Sequence, residues 1–255
     1  MLSSSGRRWP SGGEWVMQPK WDGFRLLVAV DRGGRIRAWS RHGANLTARL
    51  AALLARFDGC PVDSIFDGEL VAISERDGQP AQDFATVTRA VFTGNPAAAE
   101  RLRFVGFDVL RLAGEDLRMR AWRDRDERLR DALPTCERVR AVSSQPASPK
   151  AHTAIVALGF EGTVLERPGS LYRPGRQGAW IKHKARHIAA GTLIAARQGR
   201  DGEWHAVCEV VDQRVGVLTG PGAVALIGQP VKLAYSRVDA DGGLREARIT
   251  TAVPR

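Results

Sequence analysis

The sequence predicts an α+β domain followed by a small all-β barrel. Residues 1–186 alternate strand-like and helix-like runs, and only short strand-like pieces follow residues 186–191. The composition also suits a chain that buries a core: of 255 residues, 44% are hydrophobic and 26% charged, which excludes wholesale disorder. No apolar run approaches the ~20 residues needed to span a bilayer. The opening stretch MLSSSGRRWPSGGEW has no apolar segment of signal-peptide type. A cytoplasmic protein with no membrane partner is therefore expected.

The elements follow in order. Residues 16–18 lead into Lys20-Trp21-Asp22-Gly23, and 24–30 read as a strand. Asp31-Arg32-Gly33-Gly34 is a hairpin turn, and 35–39 return. Residues 47–57 place Leu50, Leu53 and Leu54 at helical spacing, with Thr47 as N-cap. Residues 64–73 and 104–112 are strand-like, and Asp83 caps a short helix over 83–91. A surface helix over 118–133 turns Trp122, Leu129 and Leu133 inward and its arginines toward solvent and acidic partners. A further helix over 148–158 stops at Gly159, and 163–166 and 179–185 are strands. The barrel pieces are 192–197, 204–211, 231–235 and 247–253. About 65 residues of short strands suit a barrel of the OB type.

The net charge of +10 suits a polyanion partner, with a discount. Arginine supplies 33 of the 38 basic residues, as a GC-rich coding sequence would produce. Residues 1–190 carry 30 basic and 21 acidic residues, a net of +9, so a polyanion-binding face belongs mainly to the larger domain. Cys60, Cys136 and Cys208 form no CxxC pair, which supports neither a disulfide framework nor a zinc ribbon. His183 and His187 read as surface residues.

The scarce lysines mark the chemistry. In an extended chain Lys20 and Asp22 share one side, as do Lys182 and Lys184, and Asp67 and Glu69. Each pair has apolar neighbours, and three such pairs imply a polar cleft between sheets.

Lys20-Trp21-Asp22-Gly23-Phe24-Arg25 resembles the KxDGxR signature of covalent nucleotidyltransferases: ATP-dependent DNA ligases, RNA ligases and capping enzymes. Further family motifs follow in order. They are resembled by Ser40-Arg41-His42-Gly43, Asp67-Gly68-Glu69, Phe107-Asp108-Val109-Leu110, Glu161-Gly162-Thr163-Val164 and Trp180-Ile181-Lys182-His183-Lys184. Ser170-Leu171-Tyr172-Arg173-Pro174-Gly175-Arg176 resembles the stretch before the last of these. The wording is most similar to bacterial ATP-dependent DNA ligases of the end-joining type.

The resemblance implies an adenylation domain of two antiparallel sheets flanked by helices over 1–188, then a short OB-fold domain over 189–255. It implies a DNA ligase that acts as a monomer on double-stranded DNA with a nick or break, beside an end-joining polymerase and end-binding proteins. Lys20 would attack the α-phosphorus of ATP to give lysyl-AMP, with nearby cations and partial desolvation favouring its neutral form. Lys182 and Lys184 would hold the α-phosphate, and Glu161 would hold Mg²⁺ or Mn²⁺. Phe107 would stack on adenine opposite Val164, and main-chain groups of Gln18 would meet the base. Glu69 would accept from the ribose, while Arg25, Arg41 and Arg176 would hold ribose and phosphate oxygens.

Three departures accompany the resemblance. Gln18 stands where the family has Glu, and Glu166 where it has Lys, which implies a reversed charge near the cleft. The family's last motif, an Arg followed by Asp-Lys, is approached only by the run Gly243-Leu244-Arg245-Glu246-Ala247-Arg248-Ile249. These leave two alternatives: an RNA ligase or other nucleotidyltransferase, and a non-catalytic DNA-binding repair subunit.

Overall fold

The computed structural model describes residues 2–6, 9–76, 79–211, 213–238 and 244–252. The chain divides into two compact units, Met1–His183 and Lys184–Arg255.

The first unit is built mainly on β1 (Leu2–Ser5), β2 (Val16–Pro19), β3 (Phe24–Val30), β4 (Ile36–Ser40), β5 (Ser64–Arg76), β6 (Leu102–Leu112), β7 (Val139–Ala141), β8 (Gln145–Pro146), β9 (Gly162–Glu166) and β10 (Arg176–Lys184). One sheet has the order β1-β10-β9-β2-β8; the other runs β4-β3-β5-β6, with β7 also pairing β6. Most pairings with a defined register are antiparallel, as the resemblance implied. Two edge pairings, β1 with β10 and β7 with β6, are parallel.

Alternation sorts the second sheet's two faces. Leu26 and Val28 on β3, Phe66 and Leu70 on β5, and Phe104 on β6 are fully buried in the main core with Leu50, Leu53, Phe57 and Leu129. Each such side chain contributes roughly 1.5–3 kcal/mol on burial. Arg25, Asp67 and Glu69 take the opposite side of β3 and β5. Two glycines let the strands approach. A Cβ on Gly68 would lie 2.3 Å from Phe104 Cζ, and one on Gly23 would lie 2.2 Å from the Leu70 carbonyl oxygen. The glycines of both motifs are therefore demanded by packing as well as by chemistry.

The helices follow the expected order with local changes. Asp83 caps Phe84–Thr88, accepting from the Thr86 N–H at 2.9 Å. Ser148 caps α2 (Pro149–Ala157), which follows α1 (Trp122–Ala132). Residues 48–57 form a broken run of 3₁₀, α and 3₁₀ turns. Thr47 stands at its N-cap position, as expected, but its side chain makes no capping bond: Oγ1 accepts instead from the Ala38 N–H at 3.0 Å. Arg125 departs from the solvated face expected of α1 and is fully buried. His183 is also buried rather than at the surface, with its ring stacked 4.9 Å from Trp9.

The second unit is a closed barrel of β11 (His187–Gln198), β12 (Trp204–Val210), β13 (Gln213–Thr219), β14 (Pro230–Tyr235) and β15 (Arg248–Ala252), in the order β11-β12-β13-β15-β14. A closed five-stranded barrel fits the OB type. Leu193, Cys208, Val215, Val217, Val231 and Leu233 fill it. β13 was not expected from the sequence; it pairs antiparallel with β12 across a tight turn in which Val211 takes φ 43°. Among the described residues, no helix is long and apolar enough to cross a membrane.

Candidate active site

A cavity of about 390 Å³ opens in the first unit. Gln18, Lys20, Arg25, Arg41, Glu69, Phe107, Val164 and Lys182 all line it. Residues expected to act together from positions 18 to 182 are thus brought to one place. The two sheets explain how. Val164 lies opposite Gln18 in the β9–β2 register, so their side chains are neighbours on one face. Arg25 lies opposite Glu69 in the β3–β5 register.

Lys20 follows the end of β2, and its N–H donates to the Gly162 carbonyl at 2.9 Å. That bond brings the lysine alongside the start of β9, where its Nζ forms an ion pair with Glu161 Oε2. Lys20 lines the cavity and retains 21% side-chain exposure, while Glu161 is buried and is not among the lining residues. The immediate partner of Lys20 is therefore an anion, where the sequence suggested cations. Asp22 does not join it across a strand, because 20–22 is a loop; the Asp22 N–H donates to Gln82 Oε1 at 2.5 Å.

Arg25 is held by a network. Its Nε and Nη2 donate to Asp67 at 2.9 and 2.5 Å, and Nη2 reaches the Tyr172 hydroxyl at 3.0 Å. Tyr172 in turn donates to Asp67 Oδ2 at 2.8 Å. The guanidinium lies 5.3 Å from the Phe107 ring centroid, which fixes the ring's position by a cation–π contact. Burial pushes the Glu69 carboxyl up to about 8, against the pull of Lys20 and Arg25. Arg41 is exposed at the cavity's rim.

Lys184 is not among the lining residues. It belongs to the second unit, where its Nζ pairs with Glu246 at 2.5 Å. The Arg176 side chain lies outside the described residues.

Sequence reasoning missed several participants. Trp21 and Trp180 line the cavity, and their indole N–H groups are buried without a partner among the described residues. The same holds for Gln18 Nε2 and Glu166 Oε2. Four orphaned polar atoms around one cavity are what a polar ligand would satisfy. Beneath it, Arg125 donates to both Asp108 oxygens at 2.7 and 2.8 Å, with both side chains fully buried. Asp108 adjoins Phe107, so this pair anchors the strand that carries the ring. Glu166 lines the cavity, as a charge near the cleft should, but is 1% exposed, and burial beside Asp108 and Asp126 drives its carboxyl well above the usual range. The sequence signal for these was the aromatic and acidic content of the motifs, which gives a face but not a depth.

Residues 8–184 match the family model for the ATP dependent DNA ligase domain. A probable DNA ligase of Streptomyces griseus is 32% identical over 86% of this chain and 45% of its own length. A multifunctional non-homologous end joining protein LigD of Pseudomonas aeruginosa is 35% identical over 69% of this chain and 20% of its own. The chain thus spans less than half the length of these relatives. A Lig E DNA ligase structure shares the fold at 20% identity, with TM-score 0.72 over 99% of this chain and 98% of its own. The ligase domain of M. tuberculosis LigD does so at 22% identity, with TM-score 0.57 over 94% of this chain and 90% of its own. By its matched domain and these relatives, the chain belongs to the ATP-dependent DNA ligase family.

Proposed function

We propose that this chain seals breaks in double-stranded DNA through a lysyl-AMP intermediate at Lys20. The observation that carries the reading is Lys20, paired with Glu161 and lining a cavity walled by aromatic rings and cations. At about 390 Å³ the cavity lies in the range of small-molecule sites. Its orphaned indole, amide and carboxyl groups suit a nucleobase, and Arg25, Arg41 and Lys182 suit phosphate and ribose oxygens.

In the proposed first step, Lys20 Nζ attacks the α-phosphorus of ATP. The N–P bond forms, the bond to pyrophosphate breaks, and the amine's proton is lost. Phe107, set by Arg25 and the buried Asp108–Arg125 pair, holds adenine against Val164. Lys182 meets the charge that develops on the α-phosphate. AMP then passes to a DNA 5′-phosphate, and a 3′-hydroxyl displaces it.

Glu161 is the side chain that would hold Mg²⁺ or Mn²⁺. Among the described residues no three acidic, His or Cys side chains cluster, which fits a cation held by one carboxylate and the substrate's phosphates. When bound there, such a cation would supply charge neutralisation to the triphosphate.

The name of the Pseudomonas relative supports a role in end joining, and a polymerase and end-binding proteins are the partners proposed for it. Lys184 and Arg176 keep their proposed phosphate roles, and the barrel, taken as residues 189–255, is proposed to contact DNA. A nicked duplex with a 5′-phosphate tests the reading. Sealing by the wild type with ATP, and none by Lys20→Ala, is expected. Sealing by Lys20→Ala would overturn it.

A further inference from the structure

One strand reaches the cavity without a part in the proposed chemistry. Ser3, on β1, lines it together with Trp180 and Lys182 of β10. β1 runs parallel to β10, and its register is broken: Ser3 pairs with Gln177, while Ser4 pairs with Ile181 and Ser5 with Lys182. One step along β1 thus spans four along β10, so residues 178–180 leave the ladder with β1. Trp180 lies in that irregular stretch, and Lys182 follows on the same side of its strand.

The segment after β1 ties the far side of this irregularity. The Gly6 N–H donates to the Lys182 carbonyl at 3.1 Å. A Cβ on Gly6 would lie 2.4 Å from Ile181 Cγ2 and 2.8 Å from His183 Nε2, so the absence of a side chain lets the two segments approach this closely. Trp9 then stacks on His183 with ring centroids 4.9 Å apart, and meets His152 edge-on at 5.7 Å. His152 is in turn hydrogen-bonded through Nδ1 to Thr163 Oγ1 on β9 at 2.9 Å. Contacts of Gly6 and Trp9 therefore bracket Lys182 on its carbonyl and on both of its neighbours.

We propose that residues 2–9 are a strap that positions Lys182 for the phosphates of the nucleotide. The inference rests on the proposed nucleotide site and adds Gly6 and Trp9 to it as positioning residues. A strand that leaves its ladder has fewer backbone bonds to fix it, and the strap restores them where Lys182 departs. The requirement is geometric: a misplacement of about 1 Å can cost on the order of 100-fold in rate. Lys182 meets the phosphates and Phe107 the base, so loosening the strap weakens the grip on the phosphate end and spares the nucleoside end.

Two variants of the full chain test this, and neither changes a residue that lines the cavity. Gly6→Pro removes the N–H that bonds Lys182 and fills the space against Ile181. Trp9→Ala removes the ring that stacks on His183. Calorimetry reads their binding of a non-hydrolysable ATP analogue and of adenosine, which has no phosphate. Each variant is expected to bind the analogue at least fivefold more weakly and adenosine within twofold of wild type. In a Lys182→Ala background the same Gly6→Pro change should weaken analogue binding by less than twofold, because the group it positions is gone. A merely structural role would weaken both ligands and would persist in full without Lys182. A folded Gly6→Pro that binds the analogue within twofold of wild type would overturn the proposal, as would either of those two structural patterns. Should Gly6→Pro fail to fold, Trp9→Ala decides by the same criteria. A wild type that binds no analogue and gains no label from α-labelled ATP would instead overturn the nucleotide site itself.

Discussion

Replacing Arg125 by Met strands a carboxylate in the core. Asp108 and Arg125 are both fully buried, and each Asp108 oxygen accepts one guanidinium N–H at 2.7–2.8 Å. Breaking such a pair from one side costs about 3–5 kcal/mol, because the remaining charge is buried without compensation. For a unit of this size that lowers Tm by about 6–20 °C. Asp108→Asn added to Arg125→Met removes the stranded charge while keeping the oxygen that accepts from the Val109 N–H at 2.8 Å. The double variant should therefore regain at least half of the loss. The loss should also shrink at low pH. Freed of Arg125, the folded Asp108 holds its proton to higher pH than the unfolded chain does, so stability falls as pH rises between those two values. Urea unfolding followed by tryptophan fluorescence reads this in the first unit, which carries six of the seven tryptophans. A single-variant loss below ~1 kcal/mol, or a double variant no better than the single, would refute the reasoning.

Three further outcomes are expected. Phe107→Leu removes an adenine-stacking face worth about 0.5–1.5 kcal/mol, so calorimetry should show an ATP analogue binding roughly 2- to 12-fold more weakly. Glu69→Gln should flatten the pH dependence of stability. The folded carboxyl keeps its proton to about pH 8 and the unfolded one does not, so wild-type stability falls as pH climbs from the usual carboxylate range to 8, and urea midpoints across that window read the difference. Glu161→Gln removes the carboxylate that pairs with Lys20, and single-turnover adenylylation should slow at least about 100-fold with the fold intact by circular dichroism.

Much of the site was legible because its residues come in short motifs with a period of two. Alternation placed Asp67 with Glu69, and a β-strand delivers both to one face. The motif glycines were visible, but their reason was not: Gly68 and Gly23 answer to Phe104 and to the Leu70 carbonyl, contacts fixed only by strand register. Depth was the main omission. Arg125 lies among charged residues on a helix and reads as solvated. It is buried because Asp108, 17 residues earlier, is buried on the strand beneath it. Glu166 likewise reads as a reversed charge near the cleft, and its full burial there is not visible from the strand pattern. The β13 strand escaped notice because Arg214 and Gly216 interrupt its apolar pattern, and its pairing with β12 overrides that weak local preference. Thr47 shows the same competition, since a side chain suited to cap a helix was taken by the neighbouring strand instead.

The central claim is that Lys20 carries the nucleotide. Incubating the chain with α-labelled ATP and a divalent cation, then locating the label by peptide mass spectrometry, tests it directly. The account predicts AMP on Lys20, released by added pyrophosphate and absent from Lys20→Ala. Label on another residue, or none on a folded wild type with either Mg²⁺ or Mn²⁺, would contradict it.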